Sequence, residues 1–152
     1  MDGTDWDLRW LGAPPPLQPG EEVVEPVDDD EELAALLRTS SPTASAMPGD
    51  PAVRRWVGIR ERGALIACAA DTSAATSVGH LSSIAVHPSA RGRNLGAVIT
   101  AALTRQLFDD GNDIVTLGMY ADNAYGRAMY DRLGFADNHR FTSGPLLVRG
   151  RW

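Results

Sequence analysis

The sequence predicts a mixed α/β domain, a sheet with helices packed on both faces. Strand-like runs dominate the first half of the chain and then alternate with helix-like segments, a pattern typical of this class. The length of 152 residues suits one domain with a full core. The chain is 43% hydrophobic, but no apolar run approaches about 18 residues, so we expect no membrane span.

Residues 1–20 predict an extended amino-terminal arm ahead of a domain at residues 21–152. Three consecutive prolines stiffen this arm, and its helix or strand periodicity is low. Trp6 and Trp10 are large apolar side chains within it. Because two free indoles would expose a large apolar area, we expect them to dock on the sheet of this chain or on that of a second copy, which would give a homodimer.

The elements of the domain are predicted from local patterns. Residues 22–26 predict a first strand, and residues 28–37 predict a helix whose start is capped by the pair Asp28 and Glu31. A loop rich in Ser, Thr and Pro covers residues 38–53. The remaining strands are predicted at residues 56–59, 64–70, 80–86, 114–120 and 135–147. The first two of these form a hairpin, and the last segment supplies one or two strands.

A turn rich in glycine and arginine separates the strand at residues 80–86 from an amphipathic helix that begins at Leu95. In the first turn of a helix the backbone N–H groups lack intrahelical partners, and the helix dipole adds partial positive charge. Arg91 and Arg93 add full positive charges to the same turn. The turn therefore predicts an anion site that suits a pyrophosphate.

Charge and cysteine content exclude several classes of protein. All 14 basic residues are arginine, so a phosphate-binding P-loop, which needs lysine, is excluded. The net charge of −6 argues against nucleic acid as a partner. The single cysteine, Cys68, lies in an apolar run and is expected to be a buried small residue. With no export leader evident, we expect a reduced, cytoplasmic setting.

A second pattern lies one helix and one strand downstream of the turn. It reads N-x-x-G-x-x-M-Y-x-x-x-G-F and is formed by Asn123, Gly126, Met129, Tyr130, Gly134 and Phe135. Together with the turn, this pattern resembles the GNAT superfamily of acetyl-CoA-dependent N-acyltransferases. The turn matches the first motif of that superfamily at Arg91, Gly92 and Gly96. Asn94 stands where the superfamily has its middle glycine, and Gly126 and Met129 replace Ala and Leu in the second motif. The resemblance covers roughly residues 23–147.

The resemblance implies a mostly antiparallel sheet whose fourth and fifth strands, at residues 80–86 and 114–120, splay apart. It implies acetyl-CoA as cosubstrate, with no metal, its pantetheine arm in the gap like an extra strand and its pyrophosphate on the turn. The residues that it assigns to the cofactor are Ile84, Ala85, Val86, Arg91, Gly92, Arg93, Asn94, Leu95, Gly96, Ala97, Asn123 and Tyr130. Because Asn tolerates a left-handed φ better than most residues, we expect Asn94 to preserve the turn geometry while weakening binding.

The resemblance also implies direct attack of an acceptor amine on the thioester in a ternary complex. The backbone N–H of Val86 is the implied donor to the thioester carbonyl, and Tyr130 is the implied acid that protonates the departing thiolate. His80, which opens its strand and titrates near neutrality, is the candidate base. Asp71 and ordered water stay open as alternatives for this role.

The acceptor amine, a small molecule or a peptide, is not specified by the sequence. It depends on the loops at residues 38–53 and 71–79 and on the last strands. A non-catalytic acyl-CoA-binding or regulatory module is the alternative to an N-acetyltransferase. A dinucleotide oxidoreductase is excluded, because residues 91–96 lack both the G-x-G-x-x-G pattern and a ribose-binding acid at the expected offset.

Overall fold

A seven-stranded sheet forms the centre of the computed structural model, which describes residues 6–41, 44–120 and 124–141. The strands are β1 (Trp6–Leu11), β2 (Glu25–Pro26), β3 (Arg55–Glu61), β4 (Ala64–Asp71), β5 (Val78–Val86), β6 (Ile114–Tyr120) and β7 (Ala136–Phe141). Their order across the sheet is β2-β3-β4-β5-β6-β1-β7. Every neighbouring pair is antiparallel except β5 and β6, which are parallel. The predicted mixed and mostly antiparallel sheet is therefore confirmed.

Helices cover both faces of this sheet, as predicted. They are α1 (Asp30–Ser40), α2 (Leu95–Asp109) and α3 (Ala124–Leu133). α2 and α3 pack on one face, in a hydrophobic cluster that includes Ile99 of α2 and Leu117 of β6. α1 packs on the opposite face, where Leu33 and Trp56 belong to a second cluster. Within the described ranges, no helix has the length and apolar character needed to cross a bilayer.

The start of α1 differs by one residue from its prediction. Asp29 is the N-cap, and its Oδ1 accepts a hydrogen bond of 3.1 Å from the backbone N–H of Glu32. The predicted capping pair of Asp28 and Glu31 is therefore wrong, and the helix runs on to Ser40. Residues 28–32 are all acidic, so the sequence pattern alone does not distinguish which of them caps the helix. The packing of the helix decides which one does.

The hairpin of β3 and β4 extends slightly beyond its predicted bounds and carries Cys68 into the core. Arg62 and Gly63 turn the chain with φ values of 53° and 82°, the pair of left-handed residues that a tight hairpin with twisted strands requires. Cys68 is fully buried, as expected, and burial raises the pKa of its thiol to about 12. The thiol therefore stays protonated and unreactive at neutral pH.

The amino-terminal segment differs from the irregular arm that the sequence predicted. Residues 6–11 form β1, which lies between β6 and β7 and pairs antiparallel with both. Leu8, for example, is opposite Gly118 on one side and His139 on the other. β1 thus supplies hydrogen-bond partners to two strands at once. The domain boundary at residue 20 stays a prediction.

The segment between β1 and β2 is fixed along α2 by Arg105. The Arg105 guanidinium donates two hydrogen bonds of 2.9 Å to the Glu21 carboxylate and one of 3.1 Å to the carbonyl oxygen of Pro15. Burial opposes the ionisation of Glu21, but the hydrogen bonds from Arg105 and from the backbone of Gln18 outweigh it and hold the pKa of Glu21 below its ordinary value. The proline-rich segment is thereby packed against the domain.

Candidate functional site

β5 and β6 separate midway along their length. Their parallel pairing ends at Leu81 and Leu117. Beyond that point each strand stays paired with its other neighbour, β5 with β4 and β6 with β1. A gap therefore opens between residues 82–86 of β5 and residues 118–120 of β6. The predicted splay of these strands, the fourth and fifth of the sequence analysis, is confirmed.

A bulge at Ser83 bends β5 beside the gap. Ser83 has a φ of 55°, and the register between β4 and β5 shifts between Cys68 and Ala70, so β5 holds one extra residue there. The Ser83 hydroxyl donates to the carbonyl oxygen of Ala46 at 2.8 Å and accepts from the backbone N–H of Ala46 at 3.0 Å. The loop that follows α1 is thereby tied to the edge of the gap.

Backbone groups of β5 point into this gap. The N–H of His87 donates to the carbonyl oxygen of Ile66 on β4 at 2.8 Å. Because successive N–H groups of an extended chain point in opposite directions, the N–H of Val86 points away from β4 and toward the gap. A strand edge of this kind can pair with an extended ligand that carries amides, such as pantetheine.

The turn after β5 presents main-chain N–H groups at the start of α2. The first hydrogen bond of the helix is donated by Val98 to the carbonyl oxygen of Asn94 at 3.1 Å. The N–H groups that precede it belong to Leu95, Gly96 and Ala97. Gly92 has a φ of 81°, and no atom lies within 4 Å of the place that a Cβ would take there. The turn is therefore an open main-chain cradle of the kind that binds phosphate groups.

Asn94 occupies the left-handed position at which α2 begins. Its φ and ψ are 66° and 16°, and its side chain makes no capping hydrogen bond. The Asn94 carboxamide oxygen instead accepts a hydrogen bond of 3.2 Å from Arg132, at the end of α3, and its nitrogen donates to Gln18 at 3.5 Å. A conformation that favours glycine is thus held here by asparagine, one of the residues that tolerate it.

Arg91 and Arg93 are both exposed, but they contact different partners. Arg93 makes two hydrogen bonds to the Glu61 carboxylate, at 3.0 and 2.6 Å. Arg91 donates to the carbonyl oxygens of Val86 at 3.3 Å and of Ser40 at 3.2 Å. The charge of Arg93 is therefore balanced by Glu61, and the main chain forms the inner surface of the cradle.

The two motif segments meet where α3 packs closely on α2. A Cβ added to Gly96 would lie 3.2 Å from the sulfur of Met129 and 3.8 Å from a methyl group of Val86. Glycine at this position therefore lets α3 approach both α2 and the end of β5. Ile84 packs against the cluster on the α2 face, and Ala85 belongs to the cluster on the α1 face, so successive residues of β5 serve both cores.

Tyr130 lies on α3 and is 7% exposed. Its ring packs edge-to-face on Phe135, with ring centres 6.0 Å apart. Burial raises the pKa of Tyr130 to about 12, and the nearby positive charge of Arg9 opposes that rise. The phenol is therefore neutral at pH 7 and has a proton to donate. Asn123, the other residue that the second motif assigned to the cofactor, lies outside the described residues.

His80 lies one residue before the strands separate. Its Nδ1 is 2.7 Å from the hydroxyl of Thr116, its neighbour on β6. The Thr116 hydroxyl donates its single proton to the carbonyl oxygen of Gly79 at 3.1 Å, so it accepts from His80. The proton of neutral His80 therefore sits on Nδ1, and Nε2 keeps the lone pair that a general base needs.

The protonation states favour His80 over Asp71 as the base. Burial lowers the pKa of His80 below its ordinary value, partly offset by the charge of Asp71, so the ring is neutral at pH 7. Asp71 accepts from Ser73 at 2.6 and 3.0 Å and from Arg55 at 3.1 Å. Although burial opposes its ionisation, these hydrogen bonds keep the pKa of Asp71 below its ordinary value. Asp71 is thus a weak base that holds the loop after β4.

His80 and Tyr130 lie on opposite faces of the sheet. Leu81 and Leu117 belong to the same cluster as Tyr130. Because side chains alternate along a strand, His80 and its partner on β6 point to the other face. Among the described residues, no group of three or more His, Cys, Asp or Glu side chains could hold a metal ion. The arrangement offers a proton acceptor on one face of the sheet and a proton donor on the other.

Comparison with models of known protein families assigns the chain to one of them. A family model described as FR47-like protein matches residues 56–142, which include β5, the turn and α3. The chain belongs to the FR47-like family. The resemblance to the GNAT superfamily found in the two motifs is confirmed.

Three known proteins that are similar to this FR47-like chain carry the name acetyltransferase. A mycothiol acetyltransferase from Rhodococcus opacus is 40% identical over 63 residues, 41% of this chain and 21% of that relative. The structure of a putative acetyltransferase of the GNAT family from Novosphingobium aromaticivorans superposes with a TM-score of 0.79 at 22% identity, over 90% of this chain and 61% of that one. For a GCN5-related N-acetyltransferase from Kribbella flavida, the TM-score is 0.65 at 26% identity, with 90% and 55% covered. The matched segment thus covers about a fifth of the length of this curated relative.

Sequence reasoning missed three residues that shape the site of this FR47-like chain. They are Arg9 on β1, Ser83 in the bulge and Arg132 beside the turn. The alternation of Trp6, Leu8 and Trp10 was a strand signal that would have placed Arg9 in the sheet. Nothing in the local sequence marks Ser83, because a bulge depends on the register of the neighbouring strand.

Replacing Asn94 by glycine is expected to tighten CoA binding to this FR47-like chain, by up to about 1 kcal/mol. Glycine adopts the left-handed conformation without strain, and the lost side chain makes no capping bond. Asn94→Ala is the matched control and is expected to weaken binding, since alanine is strained at positive φ. Calorimetric Kd values for CoA measure both effects. An equal Kd for all three proteins would show that the φ of residue 94 does not limit binding.

Proposed function

We propose that this chain is an acetyl-CoA-dependent N-acetyltransferase in which an acceptor amine attacks the thioester directly within a ternary complex. The observation that carries the proposal is the gap between β5 and β6, which leads to the main-chain cradle at the start of α2. The names of the mycothiol acetyltransferase from Rhodococcus opacus and of the similar GNAT structures support the same class of reaction.

The described residues fit acetyl-CoA. The free edge of β5 at residues 82–86 offers N–H and C=O groups to the two amides of pantetheine. The N–H groups of Leu95, Gly96 and Ala97 meet the pyrophosphate with the positive end of the α2 dipole behind them. Acetyl-CoA supplies the activated acetyl group. Asn123 is proposed to bind the pantetheine arm.

Three groups of the chain carry the chemistry. Nε2 of His80, or ordered water, takes a proton from the acceptor ammonium so that the amine is a nucleophile. The N–H of Val86 donates a hydrogen bond to the carbonyl oxygen of the thioester as negative charge develops on that oxygen. Tyr130 donates its phenolic proton to the sulfur as the carbon–sulfur bond breaks, so CoA leaves as a thiol.

The acceptor is proposed to be a small-molecule or peptide amine that enters on the face of His80. The loop after α1 borders this face, because Ser83 ties Ala46 to β5. The net charge of −6 suits a cationic amine. A cytoplasmic location and a homodimer stay predictions, and light scattering tests the second of them.

Two measurements test the proposal. Acetyl-CoA is expected to raise the Tm of the purified chain, and desulfo-CoA is expected to compete with it. A panel of amines is then assayed by release of the CoA thiol. Binding without turnover of any amine would indicate an acyl-CoA-binding module. A chain whose Tm does not respond to acetyl-CoA contradicts the proposed function altogether.

The rate of transfer is expected to fall in acid because of His80. Since burial lowers the pKa of His80, the fall in kcat/KM lies below the ordinary value of 6.5. The free energy of unfolding is expected to change in the same direction. A histidine that is buried in its neutral form stabilises the fold above the pKa of the unfolded state, and this contribution is lost as the pH falls through the pKa of the folded state. His80→Gln, which keeps a donor for Thr116, is expected to remove the acid limb. A variant with an unchanged pH profile would assign the proton transfer to water.

A further inference from the structure

Arg9 is a cation buried at the point where β5 and β6 separate. Its side chain is 1% exposed. On β1 it is opposite Leu117 of β6, the last residue of that strand paired with β5. Arg9 lies outside residues 56–142, the part matched to the FR47-like family, so the amino-terminal strand brings this charge to the site. Burying a guanidinium costs considerable solvation free energy unless it is paired.

One partner of Arg9 is the residue that follows Tyr130. The Arg9 guanidinium donates to the carboxylate of Asp131, and this ion pair joins β1 to α3. Its charge also acts on Tyr130, since it counteracts part of the rise in the pKa of the phenol. The two charged groups identified beside Tyr130 are thus Arg9 from the sheet and Asp131 from its own helix.

We propose that Arg9 is a positioning residue for Tyr130. Arg9 fixes α3 on the sheet through its ion pair with Asp131, and its charge stabilises the phenolate that forms as Tyr130 gives up its proton. The inference rests on the proposed function. In this step the carbon–sulfur bond of the thioester and the O–H bond of Tyr130 break, and an S–H bond forms on the departing CoA sulfur. The phenolate then takes up, through water, the proton that the newly acetylated nitrogen releases. A guanidinium suits this role because it keeps its charge at every pH of interest.

A double-mutant cycle on kcat tests this role. Arg9→Met, which keeps much of the side-chain volume without the charge, is expected to lower kcat about tenfold or more and to leave the KM for acetyl-CoA within about twofold. In a Tyr130→Phe background the same change is expected to have no further effect, because there is no phenolic proton left to assist. Arg9→Lys is expected to restore part of kcat. Arg54→Met, at an exposed arginine, is the control and is expected to leave kcat and the KM for acetyl-CoA unchanged.

Amide hydrogen exchange tests the anchor without an activity assay. Asp131 is 59% exposed, and asparagine keeps a carbonyl oxygen that can accept from Arg9, so Asp131→Asn is expected to fold. Faster exchange is expected in residues 124–133 of α3, in Asp131→Asn and in Arg9→Met, with α2 unchanged. Unchanged exchange in α3, or losses in kcat that are additive in the cycle, would overturn the proposal. If the wild-type chain transfers no acetyl group, the proposed function fails, and the exchange data still decide whether Arg9 holds α3.

Discussion

Replacing Tyr130 by phenylalanine is expected to lower kcat for acetyl transfer by about a hundredfold or more, with the Kd for acetyl-CoA within about twofold of the wild-type value. Phenylalanine keeps the ring and with it the edge contact to Phe135 at 6.0 Å, so only the hydroxyl is lost. That hydroxyl is a proton donor at neutral pH, because burial raises the pKa of Tyr130 to about 12. In the proposed mechanism this hydroxyl donates to the sulfur only as the thioester breaks, so the loss is expected in kcat.

Phe135→Leu is the matched control for this experiment. It removes the edge contact and keeps the Tyr130 hydroxyl, so a lower Tm is expected with kcat much less affected. Steady-state kinetics with thiol detection give kcat and KM, and calorimetry gives the Kd. If Tyr130→Phe raised only the Kd for acetyl-CoA, the hydroxyl would serve in binding, and the acid would have to be another group.

Deleting residues 1–11 is expected to destabilise the fold by several kcal/mol, seen as a fall in Tm of about 10 °C or more, or as insoluble protein. β1 is an inner strand, paired with β6 from Trp6 to Leu11 and with β7 from Trp6 to Trp10. Its loss would leave two strands with unpaired backbone groups facing each other, and would remove the charge that pairs with Asp131. Thermal unfolding followed by circular dichroism measures the change.

Deleting residues 1–5 is the matched control, since it leaves every residue of β1 in the chain. Leu8→Pro is a second variant for the case in which the shorter chain does not express. Proline removes a backbone donor from a strand that has neighbours on both sides, and is expected to act in the same direction. A chain without residues 1–11 that kept the wild-type Tm would mean that β1 contributes little to the stability of the sheet.

Much of the site could be predicted because its parts are local. The turn at residues 91–97 and the start of α2 follow from a few adjacent residues, and the strand at residues 114–120 has the predicted bounds. The left-handed angles of Asn94 agree with the tolerance expected of asparagine. Burial of Cys68 follows from its apolar neighbours. Each of these features depends on contacts within about one helical turn or one strand.

The roles of the amino-terminal residues could not be predicted in the same way. A pattern of apolar residues would place Arg9 in solvent and Trp10 in the core, whereas Arg9 is buried and Trp10 is partly exposed. The difference arises because β1 is held by its backbone between two strands that lie more than 100 residues away in the chain. Its register, set by those strands, decides which face each side chain takes.

By itself the sequence determined the class of fold, the superfamily, the position of the glycine- and arginine-rich turn before α2 and the residue types available for proton transfer, because each of these depends on short segments with strong local preferences. Only the tertiary structure decided the order of the strands, the insertion of β1, the tautomer of His80 and the ion pair beside Tyr130. These depend on hydrogen bonds and charges brought together by pairing between distant segments, such as Thr116 with Gly79 and Arg9 with Asp131. A local stretch of sequence does not predict which distant group will accept a hydrogen bond from a buried donor or pair with a buried charge.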